Sequence, residues 1–346
     1  MEFCAAHAVE PILPPGQDAF PYLAVFAARY RDGRIAPSGQ PVRSGTVADA
    51  LRNVGQTYAL LGYRDIRLDE FGKLDIRLKR LLREWGKEDE PPHRVKPIPI
   101  QLVTTALRIA YNPTTSTSAS RAVADMLCLA FFFLLRPGEY TVKTDNTPFR
   151  LKDAALLIGA RRIDPQTATP ADFLAVSAVC LTFTTQKNGV RGERITHGKS
   201  GDPLACPCAA LARRVSHLVE HKLPPTTPLG TFVTETGRTS TVSSKNVYDA
   251  LKIALLTYGT ERLDITPEDI QARSLRAGGA TALLNAGIDS DVISLLGRWR
   301  SDAMLRYLHV SASTAVQHYA KEMFQGGTFS FRPNSLVPPD GLVPQL

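Results

Sequence analysis

Four segments that are far apart in the chain carry residue types suited to phosphate chemistry. They are LLRPGEY around Arg136, TTQKNGV around Lys187, RSLRAGGAT around Arg276 and GRWRSDAMLRY, which ends at Tyr307. Arginine suits the charge that builds on non-bridging phosphate oxygens, because its planar guanidinium donates two parallel hydrogen bonds and stays protonated. Positioned donors in a dry site are each worth about 3 kcal/mol of barrier. Together the segments predict one site that cuts and rejoins a phosphodiester without a metal or an energy cofactor.

The other two segments could supply the proton and the nucleophile. Lys187 directly precedes Asn188-Gly189, the strongest hairpin signal in the chain, so we expect it at a hairpin tip. A lysine there could protonate a leaving alkoxide, since neighbouring cations lower its pKa. A Tyr307 phenolate could attack phosphorus and store the bond energy as a covalent phosphotyrosine.

Each of these residues also has an ordinary interpretation. Arg136 could pair with Glu139, Lys187 could be an exposed turn residue, and Tyr307 could be a half-buried helix tyrosine. Both arginines nevertheless stand in surroundings poor in other charges, FFFLLRPGEY and SLRAGGATALL, whereas a surface arginine usually has polar neighbours.

The elements that position these residues fall into two predicted domains. Three helices are expected in the N-terminal part, over 19–30, from the cap Thr46 to Leu61, and over 74–85. The proline-containing segment EDEPPHRVKPI cannot continue a helix and is interpreted as a linker. We therefore predict a helical domain over 1–97, a larger domain over 98–325 and a flexible tail over 326–346.

The larger domain is predicted to be mainly α with a small antiparallel β-sheet. The predicted strands cover 151–163, 173–185 and 190–196. The predicted helices cover 100–111, a long helix ending at Leu135, 209–221, Ser243 to Leu256, a start at Thr266, runs after Ser290 and Ser301, and 311–324.

Composition indicates the kind of partner and of compartment. The net charge of +8 and the isoelectric point near 9.3 favour a polyanion. Five irregularly spaced cysteines indicate a reducing compartment rather than a disulfide framework. Cys206-Pro207-Cys208 lacks a second pair at zinc-site spacing, so we predict neither a metal nor a cofactor.

Two further features bear on location and binding. The apolar run from Met126 to Leu135 is too short to span a bilayer, and no secretory signal is visible, which predicts a nuclear protein in a eukaryote and a cytoplasmic one otherwise. The third helix carries four basic residues that either form a solvated face or contact DNA: Arg77, Lys79, Arg80 and Arg83.

Taken together, the four segments resemble the tyrosine recombinase (phage integrase-like) family, whose catalytic fold is shared with type IB topoisomerases. Their sequences most resemble the eukaryotic mobile-element branch, the Crypton and DIRS-like recombinases. The resemblance covers about 98–325, whereas the N-terminal helices are similar only in kind to the family's core-binding domain. It implies a C-shaped clamp around double-stranded DNA, a tetramer on paired sites, and docking of helix 311–324 in a neighbouring protomer.

The resemblance also implies a role for each matching residue. Arg136 and Arg276 would be the two catalytic arginines, with Glu139 as the supporting acid of the first. Lys187 would be the general acid. Tyr307 would be the nucleophile, which leaves a 3′-phosphotyrosyl link and a free 5′-hydroxyl.

The chain departs from the family pattern in two places. Arg273 stands where the family has His or Lys, and arginine cannot act as a base near neutral pH. Trp299 would take the His/Trp position but lies eight residues before Tyr307, while Arg298 occupies the more usual ninth.

A second tyrosine, Tyr319, is the alternative nucleophile. Three functions therefore stay open: a recombinase or integrase, a DNA-binding protein that has lost cleavage, and a topoisomerase that relaxes DNA.

Overall fold

The structure is a computed structural model in which residues 2–7, 10–14, 16–90, 96–142, 148–184, 191–299 and 319–328 are described. The chain divides into two compact units, Met1–His93 and Arg94–Leu346. The predicted boundary between 97 and 98 and the roles of the two domains stay predictions.

The N-terminal unit is helical. Its helices are α1 (Glu2–Ala6), α2 (Phe20–Arg31), α3 (Ser44–Leu60) and α4 (Ile76–Glu88). Helix α1 was not predicted, whereas the apolar stripes that predicted α2 and α3 contribute to a small core of Leu23, Ala27, Val47, Leu51 and Leu78.

Helix α3 begins two residues before the predicted cap. Asp89 accepts hydrogen bonds from the Ser44 amide at 2.7 Å and the Ser44 hydroxyl at 2.6 Å. Arg31 holds the same carboxylate at 2.8 Å. A carboxylate at the far end of α4 thus supplies the N-terminal cap, which local sequence around Thr46 cannot reveal.

The C-terminal unit is built around one buried helix, α6 (Ser118–Phe132), which is apolar on nearly all of its faces. The other helices of this unit are α5 (Ile100–Ala110), α7 (Pro137–Tyr140), α8 (Pro170–Ala175), α9 (Pro207–Glu220), α10 (Ser244–Tyr258), α11 (Thr260–Leu263), α12 (Ser274–Asn285), α13 (Ser290–Gly297) and α14 (Tyr319–Gly326). Ser243 caps α10 as predicted, since its hydroxyl accepts from the Asn246 amide. The helix start predicted at Thr266 is only a 3-10 turn, Pro267–Asp269.

A four-stranded antiparallel sheet covers part of this core in the order β2-β1-β3-β4. The strands are β1 (Ala154–Ile158), β2 (Arg161–Arg162), β3 (Ala178–Phe183) and β4 (Glu193–Gly198). A separate hairpin joins β5 (Thr231–Val233) and β6 (Thr239–Thr241). The predicted class, mainly α with a small antiparallel sheet, is confirmed.

The strand predicted over 173–185 is wrong at its start. Helix α8 occupies residues up to Ala175, because Thr169 and Asp172 form a capping box around Pro170. Strand β3 then pairs with β4 from Phe183 opposite Glu193. The predicted hairpin tip with Lys187 lies outside the described residues.

Helix α14 packs against α12 of the same chain. Ala320 and Met323 are fully buried there, and the Gly327 carbonyl accepts from the Ile100 amide at 2.8 Å. Docking of helix 311–324 in a neighbouring protomer stays a prediction, and its first part, 311–318, lies outside the described residues. None of the described helices is long and apolar enough to cross a membrane.

Candidate active site

The C-terminal end of α6 forms the floor of the site. Leu134 has a φ of 50°, so the chain turns sharply there and the carbonyls of Phe133 and Leu134 are not used by the helix. Arg276 donates to the Leu134 carbonyl at 2.9 Å. Arg298 donates to the carbonyls of Phe133 and Leu134, both at 3.2 Å. Because helix C-termini carry partial negative charge, this buried end attracts and orients both guanidiniums.

Glu139 links Arg136 to Arg298. Its Oε1 accepts from Arg136 Nη1 at 3.0 Å, and its Oε2 accepts from the Arg136 amide at 2.7 Å and from Arg298 Nη2 at 2.9 Å. The ordinary interpretation of Arg136, pairing with Glu139, is therefore what the structure shows. A single carboxylate nevertheless serves two guanidiniums, so the pairing does not neutralise the cluster.

Arg276 has no carboxylate partner among the described residues. Its side chain binds two backbone carbonyls, those of Leu134 and Gly297, and its guanidinium lies 4.3 Å from the centre of the Trp299 ring. Burial, together with the charges of Arg136 and Arg298, lowers the pKa of Arg276 to about 9. Arg276 is still a cation at neutral pH, and an anion would relieve the repulsion that destabilises its charge.

Close approaches of glycines fix the element that carries Arg276. In α12, a Cβ on Gly278 would overlap the carbonyl of Ile98, and one on Gly279 would overlap the carbonyl of Phe131. The Ile98 amide also donates to the Ser274 carbonyl at 3.1 Å. Because Gly278 and Gly279 have no side chain, the backbone of α12 can lie directly against the carbonyls of Ile98 and Phe131. This close approach places the Arg276 guanidinium at the end of α6.

Trp299 is positioned by another glycine. A Cβ on Gly297 would overlap the indole ring, so the ring lies directly on the end of α13. Trp299 is 41% exposed and covers one face of Arg276. Stacking of this kind orients the guanidinium and leaves its edge for hydrogen bonds.

A count of N–H groups distinguishes the three arginines, since each guanidinium has five. Arg298 makes four hydrogen bonds through Nη1 and Nη2, and its Nε is buried with no partner among the described residues. Arg276 makes two, and Arg136 makes two, one of them to the Arg298 carbonyl at 3.4 Å. In the described part of the chain, Arg136 and Arg276 thus keep donors for an outside group and Arg298 does not.

The charges of the cluster also favour binding of an anion. Three guanidiniums and one carboxylate give a net charge of +2 from Arg136, Arg276, Arg298 and Glu139. A buried excess of positive charge with spare N–H donors is suited to an oxyanion such as a phosphate diester.

The remaining predicted site residues are placed as follows. Arg273 is exposed directly before α12, and its side chain makes no hydrogen bond or ion pair within the described ranges. Lys187 and Tyr307 lie outside the described residues, so their predicted roles stay predictions. Sequence reasoning did not assign Arg298 a place in the cluster, although its spacing of nine residues before Tyr307 was the available signal.

The basic residues of α4 differ from one another. Arg77 binds Asp18 at 2.7 Å and Asp75 at 2.7 Å, and stacks on Phe20 at 4.5 Å, so its guanidinium has a structural role. Arg83 lies 3.5 Å from Glu84. In contrast, Lys79 and Arg80 are exposed and have no partner in the described part of the unit, so they are the better candidates for DNA contact.

No group of three or more His, Cys, Asp or Glu side chains in the described ranges could hold a metal ion. Cys206 and Cys208 are both buried at the start of α9.

Comparison with known proteins finds similar solved structures but no matching family. No family model matches the chain, and no curated protein does. Among solved structures, the Tn1549 transposon integrase in complex with a circular intermediate DNA, as an Arg-to-Lys variant, has a TM-score of 0.46 at 12% identity and covers 82% of this chain and 78% of its own. A Tyr-to-Phe variant with transposon right end DNA has a TM-score of 0.46 at 13% identity and covers 86% and 81%. Likeness at this level does not identify a function.

Proposed function

We propose that the chain is a DNA strand-transferase of the tyrosine recombinase type, which cleaves and rejoins duplex DNA through a covalent 3′-phosphotyrosyl intermediate. The proposal rests above all on Arg276, a buried arginine with no carboxylate partner in the described residues, held under Trp299 and beside Arg136. An arginine without an acid partner is costly to bury unless an anion completes the site.

In the proposed reaction, the spare N–H groups of Arg136 and Arg276 bind the non-bridging oxygens of the scissile phosphate. The Tyr307 oxygen attacks phosphorus, the bond to the 5′-oxygen breaks, and Lys187 donates a proton to that leaving oxygen. Arg273 can donate to the phosphate but cannot accept the phenol proton of Tyr307, so that proton passes to water. Attack by Tyr307 is therefore the step most sensitive to pH.

The proposed partner is double-stranded DNA, which the net charge of +8 supports. By resemblance, we further propose a Crypton or DIRS-like mobile-element recombinase that acts as a tetramer on paired sites, with helix 311–324 docking in trans. Its proposed location is the nucleus of a eukaryotic host, or the cytoplasm otherwise.

The proposal is tested in two steps. DNA that binds the protein is first selected from a random pool, and a nicked duplex of that sequence is then incubated with the protein in EDTA. We expect a covalent protein–DNA adduct that resists denaturant. Arg276→Ala should lower its rate of formation by about 100-fold, since one positioned donor contributes 10²–10³-fold. Arg238→Ala, at an exposed arginine of the β5–β6 hairpin, is the matched control.

A second candidate is a protein that binds DNA without cutting it. The exposed Arg273, in place of a side chain that could accept a proton, favours this alternative. It predicts salt-dependent DNA binding, no adduct, and no gain on Arg273→His. An adduct that appears only with Arg273→His would instead indicate an impaired enzyme.

A further inference from the structure

Arg298 is the most buried arginine of the cluster, with 1% of its side chain exposed. Its four hydrogen bonds bind the carbonyls of Phe133, Leu134 and Leu296 and the Oε2 of Glu139. Because both of its terminal nitrogens are occupied by protein acceptors, Arg298 has no outward donor with which to hold a substrate.

The backbone of Arg298 is also specialised. Its φ is 55°, a left-handed conformation that is unfavourable for a residue with a side chain. This turn directs its carbonyl to Arg136 Nη2 at 3.4 Å while its guanidinium packs 3.8 Å from the centre of the Phe183 ring. Arg298 thus contacts Arg136 through its backbone and, through Glu139, with its side chain.

The carboxylate of Glu139 binds both Arg136 and Arg298. Oε1 binds Arg136 Nη1, and Oε2 binds the Arg136 amide and Arg298 Nη2. Without Arg298, both oxygens could turn to the Arg136 guanidinium, because a carboxylate and a guanidinium prefer the two-bond pairing. Arg136 would then have fewer donors left for an anion.

We propose that Arg298 is a positioning residue, which holds Glu139 away from a two-bond pairing with Arg136 and so keeps Arg136 available to the anion. The inference rests on the proposed anion site. It assigns Arg298 a role through another residue, whereas the exposed Trp299 covers the buried Arg276 in the same site.

The first test does not depend on activity. Hydrogen exchange of the Arg136 amide, measured in the full chain, reports on its bond to Glu139 Oε2. Arg298→Met should speed this exchange about tenfold, as expected when one local bond opens, and leave the amide of Leu107 in α5 unchanged. Arg298→Lys keeps a donor for Glu139 and should restore slow exchange. An Arg136 amide that exchanges as slowly in Arg298→Met as in the parent would overturn the proposal.

The second test measures anion binding with inorganic phosphate. The chain has two tryptophans, so the Trp85→Phe parent reports binding through Trp299 fluorescence alone. Arg298→Met should weaken phosphate binding about tenfold, but less than about threefold when Glu139 is already Gln, because coupled residues are not additive. Equal losses in both backgrounds would show that Arg298 acts through its own charge and would overturn the proposal.

The two tests separate this inference from the proposed function. If the parent protein binds no phosphate, the proposed anion site is wrong, whereas the exchange of the Arg136 amide still decides whether Arg298 positions Glu139. If Arg298→Met is unstable, Arg298→Gln takes its place, because its shorter, uncharged side chain cannot hold Glu139: fast exchange of the Arg136 amide supports the proposal, and exchange as slow as in the parent contradicts it.

Discussion

Arg276 and Trp299 are stacked, with the guanidinium carbon 4.3 Å from the centre of the indole ring. Arg276 belongs to α12, and Trp299 follows α13 and Arg298. The stack therefore brings together residues from two separate elements. It also shields Arg276 from water on one side, which strengthens any hydrogen bond that its edge makes to an anion.

The stack predicts that affinity for DNA falls in steps as the ring at position 299 is made smaller and then removed. Trp299→Ala should weaken binding of the selected duplex about fivefold, because cation–π contacts contribute about 0.5–2 kcal/mol. Trp299→Phe keeps a ring over Arg276 and should lose less than half of that free energy. Fluorescence anisotropy with labelled DNA measures both variants. A Phe variant as weak as the Ala variant would show that the indole N–H, rather than the stack, contributes the binding.

The glycines of α12 predict a steric effect. Gly278→Ala places a methyl group against the carbonyl of Ile98, and overpacking of this kind costs about 1–3 kcal/mol. We expect a lower melting temperature of the C-terminal unit and slower adduct formation, since α12 carries Arg276. Gly45→Ala in α3 is the control, because a Cβ there meets nothing within 4 Å. Equal melting temperatures for Gly278→Ala and the parent would contradict the packing.

His197 predicts a loss of stability in acid. Burial against Phe133, at 4.6 Å between ring centres, lowers the pKa of His197 from 6.5 to about 4. Between these values the unfolded chain binds a proton that the folded chain excludes, so stability falls as the pH falls. The loss from pH 7 to pH 5 should be about 2 kcal/mol of the free energy of unfolding.

Denaturant unfolding at the two pH values checks this prediction. His197→Leu should remove the contribution of His197 and leave a smaller one from His217, whose pKa burial also lowers to about 4, while His221→Gln, at an exposed histidine after α9, should leave the pH dependence in place. An unchanged pH dependence in His197→Leu would assign the effect to other groups.

The basic residues of α4 are predicted to differ in their contribution to the salt dependence of DNA binding. Lys79→Ala and Arg80→Ala should each reduce the slope of log affinity against log salt by about 0.9, the value for one lost phosphate contact. Arg77→Ala should leave the slope unchanged and destabilise the N-terminal unit, because Arg77 is bound to Asp18 and Asp75. A reduced slope for Arg77→Ala would instead place it at the DNA.

The sequence predicted the parts of the fold that depend on local periodicity. The apolar stripes of α2 and α3 and the buried run of α6 predicted those helices to within a few residues. The predicted start of α3 was wrong because its cap, Asp89, is far from Ser44 in the sequence. The convergence of Arg136 and Arg276 was predicted from the four segments taken together. The bonds of Arg298 to the end of α6, in contrast, depend on tertiary contacts that no local pattern encodes.

The identity of the nucleophile is the most direct test of the proposed function. The adduct formed in EDTA is trimmed with nuclease, digested and analysed by tandem mass spectrometry, which separates Tyr307 from Tyr319 within one peptide. The proposal predicts a nucleotide phosphate on Tyr307, loss of the adduct in Tyr307→Phe, and its survival in Tyr319→Phe. A nucleotide on Tyr319, or an adduct that persists in Tyr307→Phe, would contradict it.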